Sequence, residues 1–174
     1  SALSVQDVRD RPVDLRPQAD AAHAKFNDSS SEFLTYLKIW AWFDDALTHK
    51  KSNKLLQEKC RTNFLSPMRL REWRDVHTQL TSMVKEQGWR INDTEPTHEQ
   101  LHLALLSGLL GNIGYKNDKV IDADKNKSGQ RSQYYLGTRG IQFYLWPGSS
   151  LSKKNAQWLM AAELVETTRL FARG

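Results

Sequence analysis

The chain has 174 residues, of which 39% are hydrophobic and 26% are charged, with a mean hydropathy of −0.64 and a net charge of +5. This composition excludes a disordered tail and indicates one ordinary domain or two small ones. No apolar run has the length of a spanning helix and there is a single cysteine, Cys60, so we expect no membrane association and a reducing, cytoplasmic location.

The N-terminal part of the sequence predicts a connector followed by a helix. Residues 1–20 contain Pro12, Pro17 and scattered charges, which indicates an extended segment. Ser29 and Glu32 have the spacing of a capping box, and apolar residues recur at helical spacing after them. We therefore expect a core-facing helix that begins near Ser29.

Two further helices are predicted before residue 90. One begins near Ser52 and places its apolar residues on one side; these are Leu55, Leu56, Cys60 and Phe64. The other has Ser66 as its cap and Pro67 at its first position, and it stops before Gly88. Three amphipathic helices joined by short loops predict a compact bundle.

The sequence changes character after a fourth predicted helix. Thr97 and Gln100 form a capping box that opens a helix through Ile113. We therefore expect a helical bundle over residues 21–113 and a β domain over residues 114–174, which is an α+β fold. The segment from Lys116 to Gln130 is polar and charged, so it predicts a loop.

The C-terminal segment predicts strands. Residues from Ile141 to Trp146 alternate in polarity, and Tyr134–Leu136 is their expected partner strand. The segment from Trp158 to Thr168 fits both helical and strand spacing, so its pattern leaves both structures open.

All of the excess positive charge lies in this C-terminal part. Residues 1–100 carry 15 basic and 15 acidic residues, whereas residues 101–174 carry 10 and 5. The aromatic residues interleaved with these charges are Tyr134, Tyr135, Tyr144 and Trp146. Cations for phosphates and flat rings for bases indicate a nucleic-acid groove, and a solvated surface is the alternative.

Two apparent metal motifs are better explained without a metal. His98 and His102 spell H-E-x-x-H, but the capping box places His98 at the first helical position, whereas a zinc site needs a rigid helix interior. The acidic run from Asp122 resembles a calcium loop but has Lys127 where glycine is needed and Gln133 where a bidentate glutamate is needed. We expect no metal.

The sequence has no G-x-x-x-x-G-K-[ST] and no G-x-S-x-G motif. We therefore expect that this chain is not itself an enzyme and binds no cofactor.

Read end to end, the chain resembles the region that follows the second ATPase lobe and winged helix in DEAH-box RNA helicases of the bacterial HrpA type. The stretches that carry the resemblance include Met68-Arg69-Leu70-Arg71-Glu72-Trp73, Tyr135-Leu136-Gly137-x-Arg139, Pro147-Gly148-Ser149-x-Leu151 and Trp158 to Leu170. The resemblance implies a ratchet domain followed by an OB-fold, with strands from Trp158 to Phe171. The insertion over residues 120–131 and the end at Gly174 depart from the family pattern, so the OB-fold is expected to be incomplete.

The resemblance also implies a function. In such helicases, RecA-like lobes with ATP and Mg²⁺ pull RNA in the 3′-to-5′ direction, and the ratchet and OB domains close the tunnel over the single strand without sequence preference. A platform that docks activator proteins is the alternative, and a zinc hydrolase is a third class. The candidate RNA-binding residues are Arg131, Tyr134, Tyr135, Arg139, Lys153 and Lys154, of which Arg139 alone rests on matched family positions. The alternative is that the cations are ordinary surface residues and that the two tyrosines belong to the core.

Overall fold

The structure is a computed structural model. It describes residues 1–49, 52–117, 134–146, 148–154 and 156–173. Within these ranges the chain forms five α-helices and then six β-strands, which confirms the predicted α+β class. None of the described helices is both long enough and apolar enough to cross a membrane.

The chain divides into two compact units. The N-terminal unit comprises Ser1–Asp28 and Phe33–Asp93, and the C-terminal unit comprises Ser29–Glu32 and Thr94–Gly174. The last helix therefore groups with the strands that follow it, whereas the sequence assigned it to the helical bundle.

The N-terminal unit contains four helices whose starts and ends follow local signals. They are α1 Arg16–His23, α2 Glu32–Thr48, α3 Asn53–Thr62 and α4 Pro67–Glu86. As predicted, the Ser52 hydroxyl accepts a hydrogen bond at the start of α3, and the Ser66 hydroxyl does so at the start of α4. Gly88, with φ +70°, follows the end of α4.

One apolar cluster holds this unit together. Its members are at most 3% exposed: Val8, Phe26, Ile39, Phe43, Cys60, Leu65, Leu70 and Trp73. The rings of Trp40 and Trp73 lie 4.9 Å apart at the edge of this core. Cys60 is buried in this cluster, and burial raises the pKa of its thiol, which disfavours the reactive thiolate.

The extended connector predicted for residues 1–20 needs correction. Val8 is 1% exposed, its carbonyl accepts from the Ser66 amide at 2.8 Å, and α1 begins at Arg16. The segment is part of the fold because its apolar side chain and backbone groups find partners near the start of α4.

Two local helix predictions were also wrong. Helix α2 begins at Glu32 and not near Ser29. Helix α3 ends at Thr62, and Phe64 lies beyond it with φ +51°. This backbone turn directs the Phe64 carbonyl toward the Asp10 amide at 2.8 Å and His23 Nε2 at 2.9 Å, both of which donate to it.

The C-terminal unit begins with α5, His98–Gly108, and its capping box from Thr97 to Gln100 is present as predicted. The helix does not continue to Ile113, which is the first residue of a strand. The strands are β1 Ile113–Asn117, β2 Tyr134–Gly137, β3 Gln142–Leu145, β4 Trp158–Met160, β5 Glu163–Glu166 and β6 Leu170–Arg173. Strand structure after Trp158 confirms what the family resemblance implied.

The six strands form one curled sheet in the order β4-β1-β2-β3-β6-β5. All pairings are antiparallel except that of β3 with β6. Strands β4 and β5 lie at the two ends of this order, yet only Ala161 and Ala162 separate them in the chain. The segment therefore bends from one end of the sheet to the other, which gives the partly open barrel of an incomplete OB-fold.

Candidate nucleic-acid interface

The sheet of the C-terminal unit has an inner and an outer face. Side chains alternate along each strand, and the inner positions form a buried core that includes Tyr135, Phe143, Leu159 and Ala172. Tyr144, the neighbour of Phe143, pairs with Phe171 across β3 and β6 and lies on the opposite side. The outer face therefore carries aromatic rings where a solvated sheet normally carries polar groups.

Five outer residues form what we call the aromatic-arginine cluster: Tyr144, Trp146, Arg169, Phe171 and Arg173. The Phe171 ring lies 6.1 Å from the Tyr144 ring and 5.6 Å from the Trp146 ring. The Arg169 guanidinium lies 4.9 Å from the centre of the Tyr144 ring, and that of Arg173 lies 5.5 Å from the Trp146 ring. Cations held against rings can contact phosphates and bases of a single strand.

Arg139 occupies the tip of the β2–β3 hairpin. Its φ of 59° and ψ of 22° are left-handed, as is Gly140 with φ 75°. The Ile141 amide donates to the Thr138 carbonyl at 3.2 Å and closes the turn. Two successive left-handed residues match the twist of a hairpin, but arginine adopts this conformation at a cost of about 1–2 kcal/mol. Arg139 is exposed, and an exposed residue in a strained backbone conformation is a candidate for function.

The two tyrosines predicted as stacking faces are both buried. Tyr134 is 7% exposed and its hydroxyl accepts from Asn117 Nδ2 at 2.5 Å. Tyr135 is 6% exposed, stacks on Phe143 at 5.9 Å, and donates its hydroxyl to the Ala156 carbonyl at 2.9 Å. Burial raises the pKa of Tyr135 above its ordinary value. In this structure neither ring offers a free face, so their stacking role stays a prediction without geometric support.

The predicted lysines lie in or beside a short 3-10 helix, Ser150–Lys153, between β3 and β4. Lys154 follows this helix and is exposed. The Lys153 side chain and all of Arg131 lie outside the described part of the chain. The structure therefore describes Arg139 and Lys154 as exposed cations and leaves the others as predictions.

Glu32 anchors the start of that 3-10 helix. This residue is 3% exposed, and its Oε1 accepts from the Ser150 amide at 2.9 Å, the Ser149 hydroxyl at 3.1 Å and the Ser150 hydroxyl at 3.2 Å. The Glu32 carboxylate therefore accepts hydrogen bonds from Ser149 and Ser150, which are far away in sequence. The capping box predicted for Ser29 and Glu32 gave this carboxylate a local role instead.

Sequence reasoning missed two parts of this surface. It passed over Arg169 and Arg173 as site residues, because their ring partners, Tyr144 in β3 and Trp146 directly after it, are distant in sequence. It also passed over Tyr115 and Trp158, which form an exposed ring pair across β1 and β4. The alternation around Trp158 was visible in the sequence, but helical spacing fitted equally well.

The paired histidines of α5 have protein partners. His102 Nδ1 lies 2.6 Å from the His98 carbonyl, and His102 Nε2 lies 2.6 Å from the Ser31 hydroxyl. The two rings stack with centres 4.0 Å apart. Among the described residues no group of three or more metal-binding side chains is found.

Residues 101–174 match the family model for the oligonucleotide/oligosaccharide-binding (OB)-fold. The chain is 42% identical over 173 residues to the ATP-dependent RNA helicase HrpA of Escherichia coli, and 39% identical to the HrpA homologue of Haemophilus influenzae. It is 23% identical over 167 residues to the pre-mRNA-splicing factor ATP-dependent RNA helicase prp22 of Schizosaccharomyces pombe. These alignments cover 99%, 99% and 96% of the chain but only 12%, 12% and 13% of the relatives. The chain therefore corresponds to about an eighth of each relative.

Proposed function

We propose that the chain is an accessory RNA-binding part of a 3′-to-5′ ATP-dependent DEAH-box RNA helicase, because residues 101–174 match the OB-fold family model and the chain is 39–42% identical to the HrpA RNA helicases. In this proposal, RecA-like lobes of the same polypeptide hold ATP and Mg²⁺, while the ratchet-like helices and the OB-fold close the tunnel over single-stranded RNA. The chemistry of ATP hydrolysis lies outside this chain, and the whole protein acts in the cytoplasm.

The observation that carries the proposal is the outer face of the sheet. It carries the aromatic-arginine cluster, and the same unit exposes two further cations, Arg139 in the β2–β3 hairpin and Lys154. Guanidinium and ammonium groups attract any phosphodiester, and rings accept any base, so such a face grips RNA without reading its sequence. A translocating enzyme requires this kind of contact because every nucleotide of the strand must pass it.

Arg173 and Arg139 are the two cations whose surroundings support the proposal. Arg173 donates to Glu163 Oε1 at 3.0 Å while its guanidinium lies over Trp146, so its orientation is fixed before RNA arrives. Arg139 is exposed in a two-residue turn that a backbone hydrogen bond closes. Preorganised cations lose little conformational entropy on binding, which favours contact with a moving strand.

The test is a fluorescence-anisotropy titration of the chain with a short single-stranded RNA at low salt. The variant carries Arg139→Ala, Lys153→Ala and Lys154→Ala, and the control carries Arg71→Ala, Arg74→Ala and Lys85→Ala on α4. We expect the first variant to lose most of its affinity and the control to bind as the wild type does. Equal affinities for all three proteins would refute an RNA grip on this face.

A second candidate function is a platform for partner proteins. The C-terminal end of α4 and the segment after it expose large apolar side chains: Met83 is 60% exposed, Trp89 68% and Ile91 48%. Adjacent exposed apolar groups are typical of a protein-binding surface. Partner binding that is lost in Met83→Ser and Trp89→Ser, and is insensitive to salt, would favour this function.

A further inference from the structure

Two exposed rings lie side by side on the outer face of β1 and β4. Tyr115 is 42% exposed and Trp158 is 65% exposed, and they are direct partners in the antiparallel pairing of these strands. Their ring centres lie 4.9 Å apart at an interplanar angle of 62°. Backbone pairing and ring contact fix both side chains, so an aromatic ligand can bind without first ordering them.

The ring pair is one end of a row across four strands. The pairing register continues from Tyr115 to Leu136 on β2 and from Leu136 to Gln142 on β3. Leu136 is 41% exposed, and Gln142 is exposed as well. With neighbouring strands about 4.8 Å apart, the row is about 14 Å long, which is enough for two stacked nucleotides.

The described strands that carry this row, β1 to β4, contain no aspartate or glutamate, and two exposed cations lie near its strands in sequence. The exposed Arg139 lies at the tip of the hairpin that begins beside Leu136, and the exposed Lys154 precedes Trp158 by four residues. An anionic ligand with flat rings matches both the cations and the aromatic pair, and a phosphodiester strand with bases has these two properties.

We propose that Tyr115 and Trp158 form a nucleobase-stacking platform for single-stranded RNA, with Arg139 and Lys154 on the adjoining phosphates. This proposal rests on the RNA-binding function proposed above and assigns the stacking role to residues other than Tyr134 and Tyr135. The Trp158 ring accepts a base of any identity, because every base has a stacking face. A site of this kind adds affinity for bases to an otherwise electrostatic contact.

The platform predicts that bases and phosphates contribute separately to binding. The experiment titrates the 174-residue chain with a short oligoadenylate RNA and with an abasic oligonucleotide that has the same number of phosphates. We expect the wild type to bind the oligoadenylate about 5- to 150-fold more tightly, which corresponds to the loss per base measured when stacking residues are truncated. Trp158→Thr should remove most of this preference and leave the abasic affinity unchanged, while Trp158→Phe should retain it.

Met68→Thr is the matched control, because Met68 is a large apolar side chain that is 73% exposed but belongs to the N-terminal unit. It should leave both affinities unchanged, and thermal unfolding should show that each variant folds. If the wild type binds both oligonucleotides equally, or if Trp158→Thr keeps the preference, the platform is refuted while RNA binding stands. If the wild type binds neither oligonucleotide at low salt, both proposals are refuted.

Discussion

Replacing Arg139 by asparagine should change stability and RNA affinity in opposite directions. Arginine at φ 59° and ψ 22° carries a left-handed cost of about 1–2 kcal/mol, whereas asparagine tolerates this conformation and asparagine-glycine is the preferred pair in such hairpins. Allowing for the context of an exposed turn, we expect Arg139→Asn to raise the free energy of unfolding by about 0.5–1 kcal/mol. For a chain of this length that is an increase in Tm of about 1–4 °C.

The same substitution removes one exposed cation from the proposed RNA surface. A solvent-exposed contact with a phosphate contributes about 0.5–1 kcal/mol, so the affinity at low salt should fall about two- to fivefold. The slope of log affinity against log salt should also become shallower by about 0.7, which is the contribution of one phosphate on a single strand.

The assays are urea unfolding followed by circular dichroism and anisotropy with a labelled single-stranded RNA. Arg139→Lys keeps the charge and the strained backbone, so both its stability and its affinity should stay near those of the wild type. Arg90→Asn removes an exposed arginine from the N-terminal unit and should not change RNA binding. If Arg139→Asn lowers stability, the turn conformation is wrong; if it binds RNA like the wild type, the hairpin does not contact phosphates.

Three further predictions concern the fold that supports this surface. Gly114→Ala should lower the free energy of unfolding, measured with urea, by about 1–3 kcal/mol, because the added Cβ would collide with the buried Phe143 ring. Gly111→Ala is the control and should be nearly neutral, because its Cβ would enter open space. Equal effects of the two substitutions would contradict the packing of Phe143 on Gly114. Glu32→Ala should lower the free energy of unfolding by about 1–3 kcal/mol, and Glu32→Gln by less, because alanine leaves the donors at the start of the 3-10 helix without their acceptor. An unchanged urea midpoint for Glu32→Ala would refute the stabilising role of this carboxylate. Burial raises the pKa of Tyr135, so folding favours the protonated phenol. The free energy of unfolding should therefore fall as the pH rises above about 10, and it should fall less in Tyr135→Phe. Identical dependence of stability on alkaline pH in the two proteins would contradict this prediction.

The parts of the fold that depend on neighbours in sequence could be predicted. Ser52, Ser66 and Thr97 cap helices through hydrogen bonds to residues three positions later, and Gly88 follows a helix end in the left-handed conformation that favours glycine. The pairing of β2 with β3 was predicted for the same reason, because a short hairpin sets its own register.

The parts that depend on distant residues could not be predicted. Glu32 has the spacing of a local cap, but its carboxylate accepts hydrogen bonds from residues 117 and 118 positions away. Ile113 continues a helical pattern, but it pairs with Met160 on β4. Tyr134 and Tyr135 lie in a basic, aromatic region that suggests an exposed groove, yet long-range packing buries both. The exposed pair of Tyr115 and Trp158 exists only because β1 and β4 meet in the folded sheet.

The most direct test of the RNA-binding proposal is the salt dependence of the chain's affinity for a short single-stranded RNA. If the outer face contacts two or three phosphates, log affinity should fall linearly with log salt with a slope of about −1.4 to −2. No binding at low salt, or binding whose strength does not change with salt, would contradict the proposal that this face grips the RNA backbone.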